Sequence, residues 1–248
     1  MNSTMHATSA YLVYNGIYWL WFETNPPSLA CFLIIIFGIF PDFDGLYFSL
    51  KTKTSSHGTE FQHHLNSWFH WPICWFPLII VFLLSLIFNF YPQYFIIPML
   101  GIYLHMIFDS AACGDGMMWL HGFKKTDYAR YINLYSSKTD GYHGNYWGAR
   151  YQQTVFYILE NILAGITISL TIWYMIRDNS YDFWNIGVII LLIAFILGGI
   201  LGPRGKFKEE PKEGRYADYR EHSGYLNWMK ENNYIFNEKR HPVKKREK

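Results

Sequence analysis

Residues 94–112 read YFIIPMLGIYLHMIFDSAA. A bilayer crossing needs about 20 mainly apolar residues, and this stretch is that long. Its only His, Asp, Glu, Lys or Arg side chains are His105 and Asp109. Ionisable groups at hydrocarbon depth are expensive, and they mark a bundle interior or a pathway rather than a lipid-facing surface. Four positions apart, the two share one face of a helix. The segment therefore predicts both a membrane-spanning helix and the place where its chemistry would sit.

Working outward, three further runs are long enough to span: Pro72 to Phe90, Thr154 to Ile176 and Phe183 to Leu201. Pro72 suits a first helical turn, where its missing N–H costs nothing. Two shorter runs precede them, Ala10 to Phe22 and Pro27 to Phe40. The second is opened by Asn25-Pro26-Pro27 and closed by Pro41. Each is marginal as a full span, and the pair reads as a tight helical hairpin or a re-entrant element shielded by the other helices. The expected fold is an all-α, polytopic transmembrane bundle of about six helices over residues 1–203, with loops at 41–71 and 113–153.

Composition agrees. Apolar residues make up 51% of the 248 and charged residues only 16%, where soluble domains run nearer a quarter charged. The opening MNSTMHATSA has no positive n-region and no cleavage site follows the next apolar run, so it reads as a first helix rather than a signal peptide. Cys31, Cys74 and Cys113 are isolated, which predicts buried small hydrophobes rather than a disulfide framework or a zinc knuckle. No internal repeat is evident.

Charge sets the orientation. The loops 41–71 and 113–153 hold Lys51, Lys53, Lys124, Lys125, Arg130, Lys138 and Arg150, while the links on the other side hold only Arg177. The positive-inside rule places both loops and both termini in the cytoplasm. Trp19, Trp21, Trp75, Trp147 and Trp184 lie near helix ends and suit an interfacial belt. Residues 204–248 form a charged tail ending in KRHPVKKREK, with one short surface helix expected between Tyr219 and Asn237. Such a basic end suits anionic headgroups; no specific nucleic-acid partner is expected.

The His and Asp residues fall in a pattern. His6 precedes the first run; Asp42 and Asp44 follow the second, in PDFDG; His63, His64 and His70 precede the third, in FQHHLNSWFHWP; His105 and Asp109 close the fourth. In a six-span bundle all reach one side. Taken singly, each has a plain reading: His105 bonded to Asp109, Asp42 and Asp44 as turn residues. Together they fit a coordinated cation better. Imidazole with carboxylate favours zinc, with manganese or iron as alternatives, over a pure magnesium site. Spacing leaves open whether His63 or His64 joins His70.

The run of His6, PDFDG, HHLNSWFHWP and HMIFDS, followed by GDGMMWLHGF, resembles the family of inner-membrane metal-dependent hydrolases that includes the LexA-binding membrane protein of enterobacteria. The resemblance covers roughly residues 1–123. It implies a divalent metal ion held by His6, Asp42, Asp44, His64, His70, His105 and Asp109. His64 is chosen over His63 on this ground, and Gly116, Trp119 and Phe123 echo the stretch after the helix. The chain departs from the family in placing its paired histidines six apart rather than five, in Leu65 and Phe69 where Arg and Thr are usual, and in WLHGF.

The expected activity is metal-dependent hydrolysis at the cytoplasmic interface, with Asp44 and Asp109 in catalytic roles and a phosphorylated or esterified lipid as substrate. The competing classes are an ion-coupled transporter and a non-catalytic anchor that recruits a partner through its tail. A transporter predicts polar groups at mid-membrane in matched halves, and an anchor predicts no buried polar cluster. For topology, cysteines introduced at Lys125 and Lys239 should both be shielded from an impermeant thiol reagent in intact cells. Labelling of only one of them would break the orientation.

Overall fold

The computed structural model describes residues 2–45, 47, 67–112, 119, 151–152, 154–201, 230, 234–236 and 242–244. Among them are six α-helices, named here α1 (Ser3–Phe22), α2 (Ser28–Ile39), α3 (Phe76–Ile87), α4 (Pro92–Ala112), α5 (Val155–Arg177) and α6 (Phe183–Leu201). The fold is an all-α bundle. Four segments are long and apolar enough to cross a membrane: Ser28–Gly45, which continues α2, then α4, α5 and α6.

Proline and cap chemistry explain most boundaries. Glu23 ends α1 in the left-handed region (φ 54°), its amide donating to the Trp19 carbonyl. Pro26 and Pro27 then exclude further helix. Pro41 has no N–H to continue the α ladder, and the chain tightens into the 3-10 turn Phe40–Asp42. Thr154 caps α5 by accepting from the Tyr157 amide. Asp182 caps α6, its Oδ1 accepting from the amides of Trp184 and Asn185 at 2.9 Å each.

Three expectations are corrected. The run from Pro72 is not one span. It opens as a 3-10 turn, Pro72–Trp75, and only then becomes α3, which is too short to count as a full crossing. A second proline, Pro77 in the first turn of α3, is the local reason the regular ladder starts late. The first run is longer than expected: α1 begins at Ser3, so His6 lies inside the helix. Conversely, the second run is a full span, because the chain stays helical past Pro41.

α1 is long enough to cross but too polar to be counted among the four spans. Its place in the bundle explains this, since it packs against α2, α4, α5 and α6. Its buried side chains include Thr4, His6, Thr8, Ser9 and Asn15. Most bond locally: Thr8 Oγ1 donates to the Thr4 carbonyl (2.8 Å), Ser9 Oγ to Met5 (2.6 Å) and Asn15 Nδ2 to Tyr11 (2.8 Å). Polar groups in hydrocarbon are tolerated when satisfied inside the protein. The apolar core around α1 holds Tyr11, Tyr14, Ile34, Ile35, Ile97, Val188 and Leu192. Lipid-side positions carry exposed Ile158, Ile162, Ile190 and Leu197.

In the tail, Tyr234–Phe236 (β1) and Pro242–Lys244 (β2) pair antiparallel, with Ile235 opposite Val243. A strand therefore replaces the last residues of the surface helix expected up to Asn237. Of the rest of that helix only Lys230 is described, and it is helical; the remainder, most of the loops 41–71 and 113–153, and Cys113 lie outside the described residues. Cys31 is buried as expected, but Cys74 is exposed.

Glycines let α4 approach α2, and α2 approach α1, at backbone distance. A Cβ on Gly101 would stand 2.8 Å from both the carbonyl carbon and the Cβ of Phe37. A Cβ on Gly38 would stand 2.9 Å from the His6 carbonyl oxygen and from Ala10 Cβ. Small residues let membrane helices meet backbone to backbone. Gly101→Ala should therefore destabilise the bundle by about 1–3 kcal/mol, the usual cost of overpacking. Gly165→Ala, with nothing within 4 Å, should be neutral or stabilising by about 0.5–1 kcal/mol. Thermal unfolding in detergent checks both, and equal effects would refute the close contact.

Candidate metal centre

Four helices deliver one cluster to one end of the bundle. His6 comes from the second turn of α1, Asp42 from the turn ending α2, His70 from the segment before α3, and His105 and Asp109 from the last turns of α4. Of their side chains, only that of Asp42 is open, at 26% exposure; those of His6, His70, His105 and Asp109 are fully buried.

The α2–α4 contact places His105. Gly101 lies one turn earlier on α4, and the approach it permits brings His105 Nδ1 to 2.8 Å from the Gly38 carbonyl oxygen. A carbonyl can only accept, so Nδ1 carries a proton and donates it. The His105 Nε2 points to Asp109 Oδ2 at 3.0 Å and Asp42 Oδ1 at 3.6 Å.

His70 is held similarly. It ends a 3-10 turn, Trp68–His70, capped by Ser67, whose Oγ accepts from the Phe69 amide. Two bonds tie the neighbouring chain: Trp75 Nε1 donates to the Phe69 carbonyl (2.8 Å), and Tyr103 OH on α4 donates to the Pro72 carbonyl (3.0 Å). His70 Nδ1 stands 2.9 Å from Asp44 Oδ2. Its Nε2 faces Asp42 Oδ1 at 3.8 Å and Asp109 Oδ2 at 3.9 Å. A carboxylate on the far nitrogen fixes tautomer and orientation and makes the near nitrogen a better donor to a metal.

His6 is stacked on His105, with ring centroids 3.7 Å apart and planes 17° from parallel. Its Nε2 lies 3.1 Å from Asp109 Oδ1. Neither Nε2 of His6 nor Nε2 of His105 has an aligned hydrogen bond. Buried polar atoms nearly always find a partner, and such an exception needs a physical reason. Imidazole nitrogens and carboxylate oxygens converging in a buried space are stable together only with a proton or a metal ion among them. The donor set fits such an ion: His6, Asp42 and His105, and again His70, His105 and Asp109, each offer atoms within 4.8 Å of one another. The residues present could thus hold a metal ion.

Of the sequence-derived candidates, His6, Asp42, His70, His105 and Asp109 are brought together. His63 and His64 lie outside the described residues. Asp44 is placed differently from the expectation: it stands behind His70 rather than facing the shared centre. The reason is local. The chain stays helical from Phe40 to Gly45, and positions two apart on a helix point about 200° apart. Trp119, flagged for its likeness to a family element, donates from Nε1 to Ser110 Oγ (2.8 Å), next to Asp109. Gly116 and Phe123 lie outside the described residues.

Sequence reading missed Glu160. It is buried within α5, its Oε1 accepting from Asn2 Nδ2 (2.8 Å) and its Oε2 from Tyr151 OH (2.7 Å). It thereby ties the start of α1, which carries His6, to α5. Its signal was available: a lone carboxylate in the apolar run FYILENILAG.

Compared with protein families, with curated proteins and with solved structures, the chain matches none of them.

Burial pulls the His70 imidazole down, but the carboxylates of Asp44 and Asp42 outweigh it and raise its pKa from 6.5 to about 9. A pKa raised on folding stabilises fully below the unfolded value, and that stability is lost as pH rises through the folded one. Metal-stripped protein should therefore lose thermal stability between pH 6.5 and about 9. Asp44→Asn should flatten that slope. A midpoint that rises across this window, or a slope unchanged in the variant, would refute the pairing.

Proposed function

We propose that this chain is a metal-dependent hydrolase embedded in the cytoplasmic membrane, with its active site at the cytoplasmic interface. The observation that carries the reading is the convergence of three imidazoles and two carboxylates at one end of an apolar bundle. Such polarity is expensive in a membrane interior and marks function by default. Its place at a bundle end, rather than mid-membrane, favours interfacial chemistry over ion-coupled transport.

In this reading His6, Asp42, His70, His105 and Asp109 supply the ligands of the metal centre, with zinc first and manganese or iron as alternatives. When bound, the ion supplies Lewis acidity, activating water near neutral pH and polarising the scissile group. Asp44 orients His70, and the Gly38 carbonyl orients His105. Asp109, in contact with three imidazoles, is the carboxylate best placed to take a proton. The rings of Phe40, Phe43, Phe69, Trp68 and Trp75 contact one another beside Asp42 and His70. An aromatic surface next to the open ligand suits an amphiphilic substrate, a phosphorylated or esterified membrane lipid. Both termini lie in the cytoplasm in this proposal, and the resemblance to the inner-membrane hydrolases belongs to it.

The test is hydrolysis by the purified protein of a panel of lipid phosphates, phosphodiesters and esters, with and without chelator. Activity should vanish with chelation and return with zinc or manganese. Replacing His105 with Ala should abolish bound metal and turnover while expression persists. Asp44→Asn should cost about 10–100-fold in metal affinity or activity, as changes to partners of ligand histidines do. Wild-type protein that binds no divalent ion, or turnover indifferent to chelation, would end the hydrolase reading.

A further inference from the structure

A ligand imidazole binds its ion in the ring plane, along the Nε2 lone pair, at about 2.0–2.1 Å for zinc. The His6 and His105 rings are 3.7 Å apart and only 17° from parallel. Over the length of one metal–nitrogen bond, that tilt closes only a fraction of the gap. The two lone pairs therefore do not meet at a single point, and no one ion can lie in both ring planes. The Asp109 carboxylate is divided in the same way. Its Oδ1 faces His6 Nε2 at 3.1 Å and its Oδ2 faces His105 Nε2 at 3.0 Å.

Resting on the metal-binding reading above, we infer that the centre is built for two divalent ions bridged by Asp109, one bound through His6 and Asp42, the other through His70 and His105. Two observations beyond the stacking support it. The cluster resolves into two overlapping donor triads, one containing His6 and Asp42, the other His70 and Asp109, with His105 in both. The ring separation also matches the spacing of two-metal hydrolytic sites, about 3.5–4 Å. Charge gives a consequence. Three carboxylates, Asp44 behind His70 included, and three neutral imidazoles still leave two divalent ions under-neutralised, which suits an anionic phosphoryl group over a neutral ester.

The experiment is metal stoichiometry with a spectroscopic check. Full-length protein in detergent is stripped by chelation, reloaded with Mn²⁺ alone and desalted, and its metal per chain is measured. Two ions per chain are expected, with the paramagnetic resonance spectrum of an exchange-coupled pair. His6→Gln should halve the stoichiometry and convert the spectrum to that of an isolated ion. One ion per chain in the wild type, with an uncoupled spectrum, overturns the two-ion inference while the single-metal hydrolase stands. No bound ion overturns both. If His6→Gln does not fold, the wild-type count and spectrum decide alone.

Discussion

The hydrogen bond between His105 Nδ1 and the Gly38 carbonyl is possible only because α2 and α4 meet without side chains between them. Gly101 brings α4 onto Phe37 and Gly38, and Gly38 in turn admits the α1 backbone at His6. Three helices are thereby brought to backbone contact within two turns of the cluster. Each contribution is modest, a hydrogen bond being worth about 1 kcal/mol net. Their effect is geometric: His6, the end of α2 and His105 acquire fixed relative positions before any ligand arrives. A site preorganised in this way loses little further freedom when it binds.

The histidines divide their two nitrogens between scaffold and centre. His105 and His70 each use Nδ1 to hold on to the protein, through a carbonyl and a carboxylate respectively, and present Nε2 inward. His6 has no such anchor on the ring. It is held instead by helix α1 and by stacking on His105, and the Asn2–Glu160 bond fixes the helix start.

Much of this was legible in the sequence, unevenly. Long apolar runs gave the helices from Tyr94, Thr154 and Phe183, because length and hydropathy suffice when a helix faces lipid. Alternation of helix direction brought the His and Asp residues to one end without any knowledge of packing. What could not be read depended on neighbours. α1 looked too short because apolarity was the criterion, and its first turns are polar and enclosed by four other helices. Asp44 looked like a partner of Asp42, because rotation about a helical turn is invisible to spacing alone until the turn is known to be helical. The roles of Gly38 and Gly101 depend on what lies opposite them, which no single run reveals.

The polarity of α1 also bears on how the chain enters the membrane. Helices are admitted to lipid largely on their own hydrophobicity as they leave the ribosome. α1 precedes α2, α4, α5 and α6, so the partners that bury Thr4, His6, Thr8, Ser9 and Asn15 do not yet exist when it is made. Left alone in lipid, Thr8, Ser9 and Asn15 would keep their bonds within α1, while all five side chains would lose the enclosure of the later helices. Stable entry of α1 therefore waits on α2, whose apolar span can anchor the pair as a hairpin. Its settled position waits further, on α4 and α5. The final seat of α1 is thus set by helices that follow it in the chain.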